Sequence, residues 1–436
     1  LCVHFMMFYL INITTAQNLS DFYSDILLRN KNKTFPKTVI YDASQLPIMM
    51  KDYLELGFSY VSVYSLINPK IESNSAKYVL WTGVASDYPD SNWAKLGIPY
   101  DNNMNIYRDM WDYTLNLYNK RYYNYSDSSK YGIIILDIEM KKSNESLGQN
   151  PPFYKGMAQS SEQSIHNYKS AMRSLYNIPI QFAKKKHNNY VQWSSYEDVP
   201  VELNWWGIRH RTWEDWTTNP KHLNYITHQN IKGQIIETEF SKNLDFYSVC
   251  TYYNYNPVFS NKVWASQYLA YMLFQLEANI AWSKKPIYLY HTFRYQGEKE
   301  RNTLISKDMV RNSVIFSFIS GADGMILYDD FRESTQNIHY HELVRTFIET
   351  ITELNKYRSY FIDKNVIYFR PENPRDLFVY NKPVIRGIEK DGKLLLAITN
   401  TFAKSNEKTN ISISYKGKHI TVELKGIETY LGEFAL

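Results

Sequence analysis

Apolar positions along this chain fall into short runs that alternate with longer stretches whose apolar residues recur at helical spacing. The short runs lie at 38–42, 60–64, 78–83, 132–139, 190–195, 246–253, 286–292 and 324–329. Each is rich in β-branched or aromatic residues and bounded by turn chemistry, so each predicts a strand. Between them, 105–121 carries Ile106, Met110, Tyr113, Leu117 and Tyr118 on one helical face, and 161–185 carries Ile165, Tyr168, Met172, Leu175 and Phe182. Further helices are expected at 262–282, 306–320 and 339–357. Strand and helix in alternation mean a parallel sheet, and eight strands are what a (β/α)8 barrel needs. An open doubly wound sheet would place a glycine-rich turn after its first strand. The turn here, Asp42-Ala43-Ser44-Gln45-Leu46-Pro47, has none.

The pattern changes near Asp363. Short strands at 394–399, 411–415, 419–424 and 429–434, with turns at Lys390-Asp391-Gly392 and Lys416-Gly417-Lys418, predict a small antiparallel β-sandwich over 363–436, packed tightly on a barrel over 18–362. The stretch 196–244, with Trp205, Trp206, Trp213 and Trp216, is too long for an ordinary barrel loop and is expected to run over the barrel mouth. The apolar start, Leu1 to Ala16, with small residues before Gln17, has the form of a secretory signal peptide over 1–17, and predicts a secreted, periplasmic or cell-surface protein. No other stretch has the length and apolarity of a membrane span.

Composition adds an excess of aromatic residues: 16% of 436 residues, with 39 Tyr, and Tyr offers both a flat apolar face and a hydroxyl. The net charge of +5 permits a polyanionic ligand without demanding one, and the single run Lys184-Lys185-Lys186 gives no case for nucleic acid. Only Cys2 and Cys250 occur, so disulfides are not expected to hold the fold. No ligand spacing supports a metal or an organic cofactor. A monomer is expected.

The sharpest local signal is Gly132-Ile133-Ile134-Ile135-Leu136-Asp137-Ile138-Glu139, an apolar strand running into two carboxylates. Alternation with period two sends Asp137 and Glu139 to the same side, and at the carboxyl end of a barrel strand that side is the active-site mouth. Two close carboxylates cannot both ionise freely, which yields a general acid beside a carboxylate. That pairing suits glycoside hydrolysis. Residues on one strand cannot flank both faces of a sugar, so either a further carboxylate is the nucleophile or the substrate's own N-acetyl group is. Other strand ends offer supporting groups: Trp193, Ser195, Tyr196 and Glu197; Tyr252 or Tyr253; His291 and Arg294; Tyr328, Asp329 and Asp330. Trp206, Arg209, His210 and Arg211 in the Trp-rich stretch add a stacking surface and cations that suit carboxylates or sulfates. Glu237 and Glu239 repeat the spacing of the first pair and rank second, because they precede a strand. No nucleophile elbow is present.

Leu136-Asp137-Ile138-Glu139 resembles the Asp-x-Glu signature of the hyaluronidase family, and 286–292, the segment beginning Ser306-Lys307-Asp308 and 321–327 are similar in order and character to that family's last two strand–helix units. The resemblance implies retaining, substrate-assisted endo-cleavage of an anionic glycosaminoglycan of hyaluronan or chondroitin type. It gives Glu139 the acid/base role, Asp137 the acetamido-positioning role and Tyr253 the role of a tyrosine on the sixth barrel strand. Trp193, Tyr196, Tyr252, His291, Arg294, Tyr328, Asp329 and Trp206 are the expected substrate-binding residues. Ile138 stands where the family has Trp, and Tyr328 replaces a further Trp. Two alternatives stay open: a retaining hydrolase of sulfated algal polysaccharides of fucan type, with a protein carboxylate as nucleophile, and a non-catalytic carbohydrate-binding protein.

Overall fold

The computed structural model describes residues 19–30, 35–62, 65–66, 78–83, 131–137, positions within 166–185, 192–202, 205–297, 303–329, 337–362, 367–369 and 373–436. The expected helix at 105–121, residues 1–17 and Glu139 lie outside them.

Eight parallel strands form one sheet. In chain order the strands are β1 (Thr38–Asp42), β2 (Tyr60–Ser62), β3 (Tyr78–Gly83), β4 (Tyr131–Asp137), β5 (Gln192–Ser195), a hairpin of β6 (His228–Ile231) and β7 (Gln234–Glu237), then β8 (Tyr247–Cys250), β9 (Ile287–His291) and β10 (Gly324–Tyr328). Leaving the hairpin aside, the sheet runs β5-β4-β3-β2-β1-β10-β9-β8. Its two edges meet. Tyr196 bridges Ser248 in parallel, the Glu197 amide donates to the Ser248 carbonyl at 3.2 Å, and the Ser248 hydroxyl donates to the Ser195 carbonyl at 2.8 Å. The sheet is therefore a closed (β/α)8 barrel, as the eight apolar runs predict.

Closure sorts side chains by parity. Val39, Tyr41, Ile134, Leu136, Trp193, Tyr247, Val249, Leu289, Met325 and Leu327 point outward into the main core beneath the helices. Ile40, Ile133, Ile135, Phe246, Tyr288, Tyr290 and Ile326 fill the interior with Tyr60, Tyr196, Tyr252 and Tyr328. Tyrosine thus contributes much of the packing inside the barrel lumen. Gly324, at the amino end of β10, makes room for it: a Cβ there would stand 2.7 Å from the Tyr288 ring and 2.9 Å from the Thr38 carbonyl oxygen.

The helices Tyr268–Trp282, Lys307–Ile319 and Ile338–Leu354 pack on the outer face, the last two capped by Ser306 and Asn337. The stretch expected to lie over the mouth instead crosses from the carboxyl end of β5 to the amino end of β8. It carries short helices at Trp205–His210 and Trp213–Thr218, then the β6–β7 hairpin, which Glu237 ties to Lys285 and the Tyr247 hydroxyl just where β9 and β8 begin. Parallel order requires that return, since β8 must start at the opposite end.

After the barrel come β11 (Ile367–Phe369), β12 (Val384–Lys390), β13 (Lys393–Thr399), β14 (Lys408–Tyr415), β15 (Lys418–Lys425) and β16 (Thr429–Ala435). A β11-β12-β13-β16 sheet and the β14–β15 pair face each other across Leu394, Leu396, Ile398, Ile411, Ile413 and Val422. Sequence patterning missed β12 and the helix Pro374–Tyr380. The helix Tyr268–Trp282 is buried on nearly every side because the barrel covers one face and this C-terminal unit the other. Between them Arg386 Nε donates to Glu277 Oε1 at 2.9 Å, with the two side chains 1% and 0% exposed. Replacing Glu277 by Ala leaves a buried guanidinium without its charge partner, and is expected to cost about 3–5 kcal/mol. Urea unfolding of Glu277→Ala against wild type measures it, and a loss below 1 kcal/mol would mean that the pair does not join the two units.

Candidate active site

The carboxyl ends of the barrel strands carry a polar set that the lumen's parity aims inward. On β4, Ile133 and Ile135 line the interior, so Asp137, two residues on, faces the same way, 8% exposed. On β1 the same rule takes Ile40 to Asp42, 1% exposed. Tyr290 on β9 lies close to both: burial first, then the charges of Asp42 and Asp137, hold its phenol protonated far above the usual range. Burial also pushes Asp42 up to about 6. The Ser62 hydroxyl on β2 opposes that rise, yet neither Asp42 oxygen nor the Ser62 or Tyr290 hydroxyl is in regular hydrogen-bond geometry with a protein partner among the described residues. Burying a polar group without a regular partner is costly.

Around this floor stand half-buried tyrosines. Tyr196 meets Tyr290 edge to face at 5.0 Å, and Tyr252 stacks on Tyr328 at 6.1 Å. The Tyr196 hydroxyl donates to Cys250 Sγ at 3.3 Å, and the Glu197 carboxylate also reaches that thiol, whose pKa burial raises. Glu197 has φ of +56°, a left-handed backbone at the rim for a residue other than glycine. Outward from Tyr252, the rings of Tyr255, Trp205 and Trp264 form a shelf around a cavity of about 20 Å³, ending at Trp206, which is 52% exposed and 5.5 Å from Trp264.

Tyr196, Tyr252 and Tyr328 therefore sit where sequence reading expects substrate contacts, and Trp206 stands at the end of the shelf. The other expected residues face away from the lumen. Trp193 lies on the outward side of β5, among the residues under the helices. Tyr253 is turned to the helix Lys307–Ile319, where its hydroxyl hydrogen-bonds Ser313 Oγ, so Tyr252 is the inward member of that pair. His291, packed between Tyr253 and Phe293, is pushed down to about 3 by burial and is neutral. Arg294 Nε donates to Asp329 Oδ1 at 3.1 Å in a buried pair behind the wall. Neighbours along a strand take opposite faces, so residues an odd number of positions apart, such as Trp193 and Tyr196 or Tyr252 and Tyr253, do not both face the lumen.

The expected anion-binding cations are largely engaged. Arg209 covers the Trp205 ring, and Arg211 lies over Trp216 and beside His222. Glu237 is paired at the amino end of the barrel and Glu239 with Lys242, which removes the second carboxylate pair from the mouth. Asp42 is the residue that sequence reading passed over. Its signal was available, since the run Thr38–Asp42 ends in an acid at the carboxyl end of the first strand. Among the described residues no group of three His, Cys, Asp or Glu could hold a metal, and no helix is long and apolar enough to cross a membrane.

Fold and mouth together define a (β/α)8 barrel with a polar, tyrosine-lined carboxyl end. No family model matches the chain, and no curated protein does. Among solved structures it is similar to bee venom hyaluronidase, at 11% identity and TM-score 0.45, over 72% of this chain and 99% of that one. The same enzyme in complex with a hyaluronic acid tetramer gives 11% and 0.46, over 72% and 98%. A GH27 β-L-arabinopyranosidase from Geobacillus stearothermophilus gives 10% and 0.38, over 76% and 62%.

A pH test isolates Asp42. Its folded-state pKa near 6 exceeds the unfolded value near 4, so the folded protein binds the extra proton between them. Stability from this group is fully present below about pH 4 and lost as pH rises to 6, by about 3 kcal/mol. Asp42→Asn should gain on wild type by that amount between pH 4 and 7 in urea unfolding. A difference constant with pH would place the carboxylate in water.

Proposed function

We propose that this chain is a glycoside hydrolase cleaving an anionic, N-acetylhexosamine-containing polysaccharide, with Glu139 as proton donor and Asp137 orienting the acetamido group. The observation that carries the reading is the meeting of Asp137, Asp42 and Tyr290 beneath a rim of half-buried tyrosines at the carboxyl end of a closed barrel. Hydrolysis of a glycosidic bond needs a protonated acid on the leaving oxygen and negative charge or dipoles facing the ring as positive charge grows there. In this reading the acetamido carbonyl oxygen attacks the anomeric carbon while the bond to the leaving oxygen breaks, and that oxygen takes the Glu139 proton. Water then opens the cyclised intermediate and returns a proton to Glu139, with retention.

Asp137 accepts the acetamido N–H, and the Tyr196 and Tyr252 hydroxyls hydrogen-bond the sugar. The shelf from Tyr255 to Trp206 suits the apolar faces of further sugars. The signal-like start fits export towards such a polymer. Asp42 supports a second reading: a carboxylate from a different strand could serve as nucleophile on a glycan without acetamido groups, such as a fucan.

Wild type, incubated with hyaluronan, chondroitin sulfate and sulfated fucan, should release reducing ends from at least one. Glu139→Gln should lose about 10²–10⁴-fold in turnover while still binding. Tyr252→Phe should lower kcat, whereas Tyr253→Phe should lower only Tm. Release by Glu139→Gln at the wild-type rate, or none by wild type, would overturn the proposal; inhibition by a thiazoline selects the acetamido route over Asp42.

A further inference from the structure

A second cleft lies on the outer surface, between the helical positions at 166–173 and the segment 220–235. It encloses about 700 Å³, within the range of sites that hold a ligand of several rings. Its hairpin end is anchored by Glu237 and Lys285 at the amino ends of β8 and β9, opposite the candidate active site.

The chemistry lining it is one-sided. Among the described residues His166, Lys169, Arg173 and Lys221 border the cleft and no carboxylate does. Lys169 and Arg173 stand four residues apart in sequence, both half-buried, a like-charge helical pair that repels. Burial first, then the Arg173 charge, holds the Lys169 ammonium below its usual range. Among the described residues neither has an acidic partner. Both are instead held by Tyr225: its carbonyl accepts from Arg173 Nε at 2.6 Å, and its ring lies 5.3 Å from Lys169 Nζ. The Nε contact fixes the guanidinium and leaves its terminal nitrogens for another acceptor. Asn230 on the far side is similarly committed, since its Oδ1 accepts from the Gly233 amide at 2.9 Å and leaves the side-chain nitrogen as a donor. Leu223, Ile231 and Ile235 supply an apolar surface between these donors.

Cations fixed side by side without a counter-charge among the described residues, beside a buried tyrosine and apolar side chains, suit a chain that alternates anionic groups with apolar ring faces. We propose that this cleft is a second polyanion site, which takes a carboxylated or sulfated stretch of glycan remote from the mouth and holds the polymer on the protein between cleavages. The identity of the polymer as a glycan rests on the function proposed above; the preference for an anion rests on the cleft alone.

Affinity electrophoresis tests it, with full-length Glu139→Gln protein run through gels containing hyaluronan, chondroitin sulfate, dextran sulfate or uncharged dextran. Retardation is expected in at least one of the anionic gels, none in dextran, and a decline with added salt. Adding the exposed change Lys221→Glu, or separately Arg173→Gln, should weaken retention about tenfold or more, the loss of one charge-assisted contact. Because Lys221 is exposed, its variant keeps the test valid even where Arg173→Gln fails to fold. Retention unchanged in both variants, absent in every anionic gel, or weaker than that for single-stranded DNA would overturn the proposal. Failure of the hydrolase reading shows separately, as wild type that releases no reducing ends.

Discussion

Everything at the carboxyl end of this barrel depends on closure of the sheet between β5 and β8. The Tyr196–Ser248 bridge and the Glu197 amide bond remove both edges, and a closed sheet has an inside. Once there is an inside, alternation along each strand becomes a choice between a confined lumen and the apolar layer beneath the helices. Asp42 and Asp137 owe their shared environment to that choice, though 95 positions of sequence, read as 137 minus 42, separate them.

The lumen is filled mainly by tyrosine where barrels of this type use branched aliphatic residues. Tyrosine rings supply the volume and their hydroxyls bring polar atoms to the top of the stack. A carboxylate placed among them is desolvated, with no cation beside it among the described residues, so its proton is held more tightly, as at Asp42. Behind the wall the opposite arrangement prevails: Arg294 with Asp329 and Arg386 with Glu277 bury charges in matched pairs that fix elements to one another. Charge is thus handled in two ways in the described residues: singly and desolvated at Asp42 in the lumen, and in close pairs outside it.

The outer cleft follows a third pattern, cations without anions among the described residues, held by contacts to Tyr225. Its distance from the mouth is a result of topology. The chain leaving the carboxyl end of β5 must return to the amino end of β8, and the hairpin that borders the cleft is built on that return.

By itself the sequence determined the eight strands, their parallel order and the turn to an antiparallel unit near Asp363, because periodicity is local and a few residues suffice to express it. It also marked Asp137 as an inward carboxylate, since the apolar run before it fixes its parity. Glu139 rests on sequence alone. What only the tertiary structure decided is which residues face the lumen at strand ends: Tyr252 over Tyr253, Tyr196 rather than Trp193, and Tyr328 ahead of Asp329. Strand ends carry no apolar partner in sequence to set their phase, so register against the next strand sets it. The same holds for Asp42, whose proximity to Tyr290 exists only after β1 and β9 have both paired with β10.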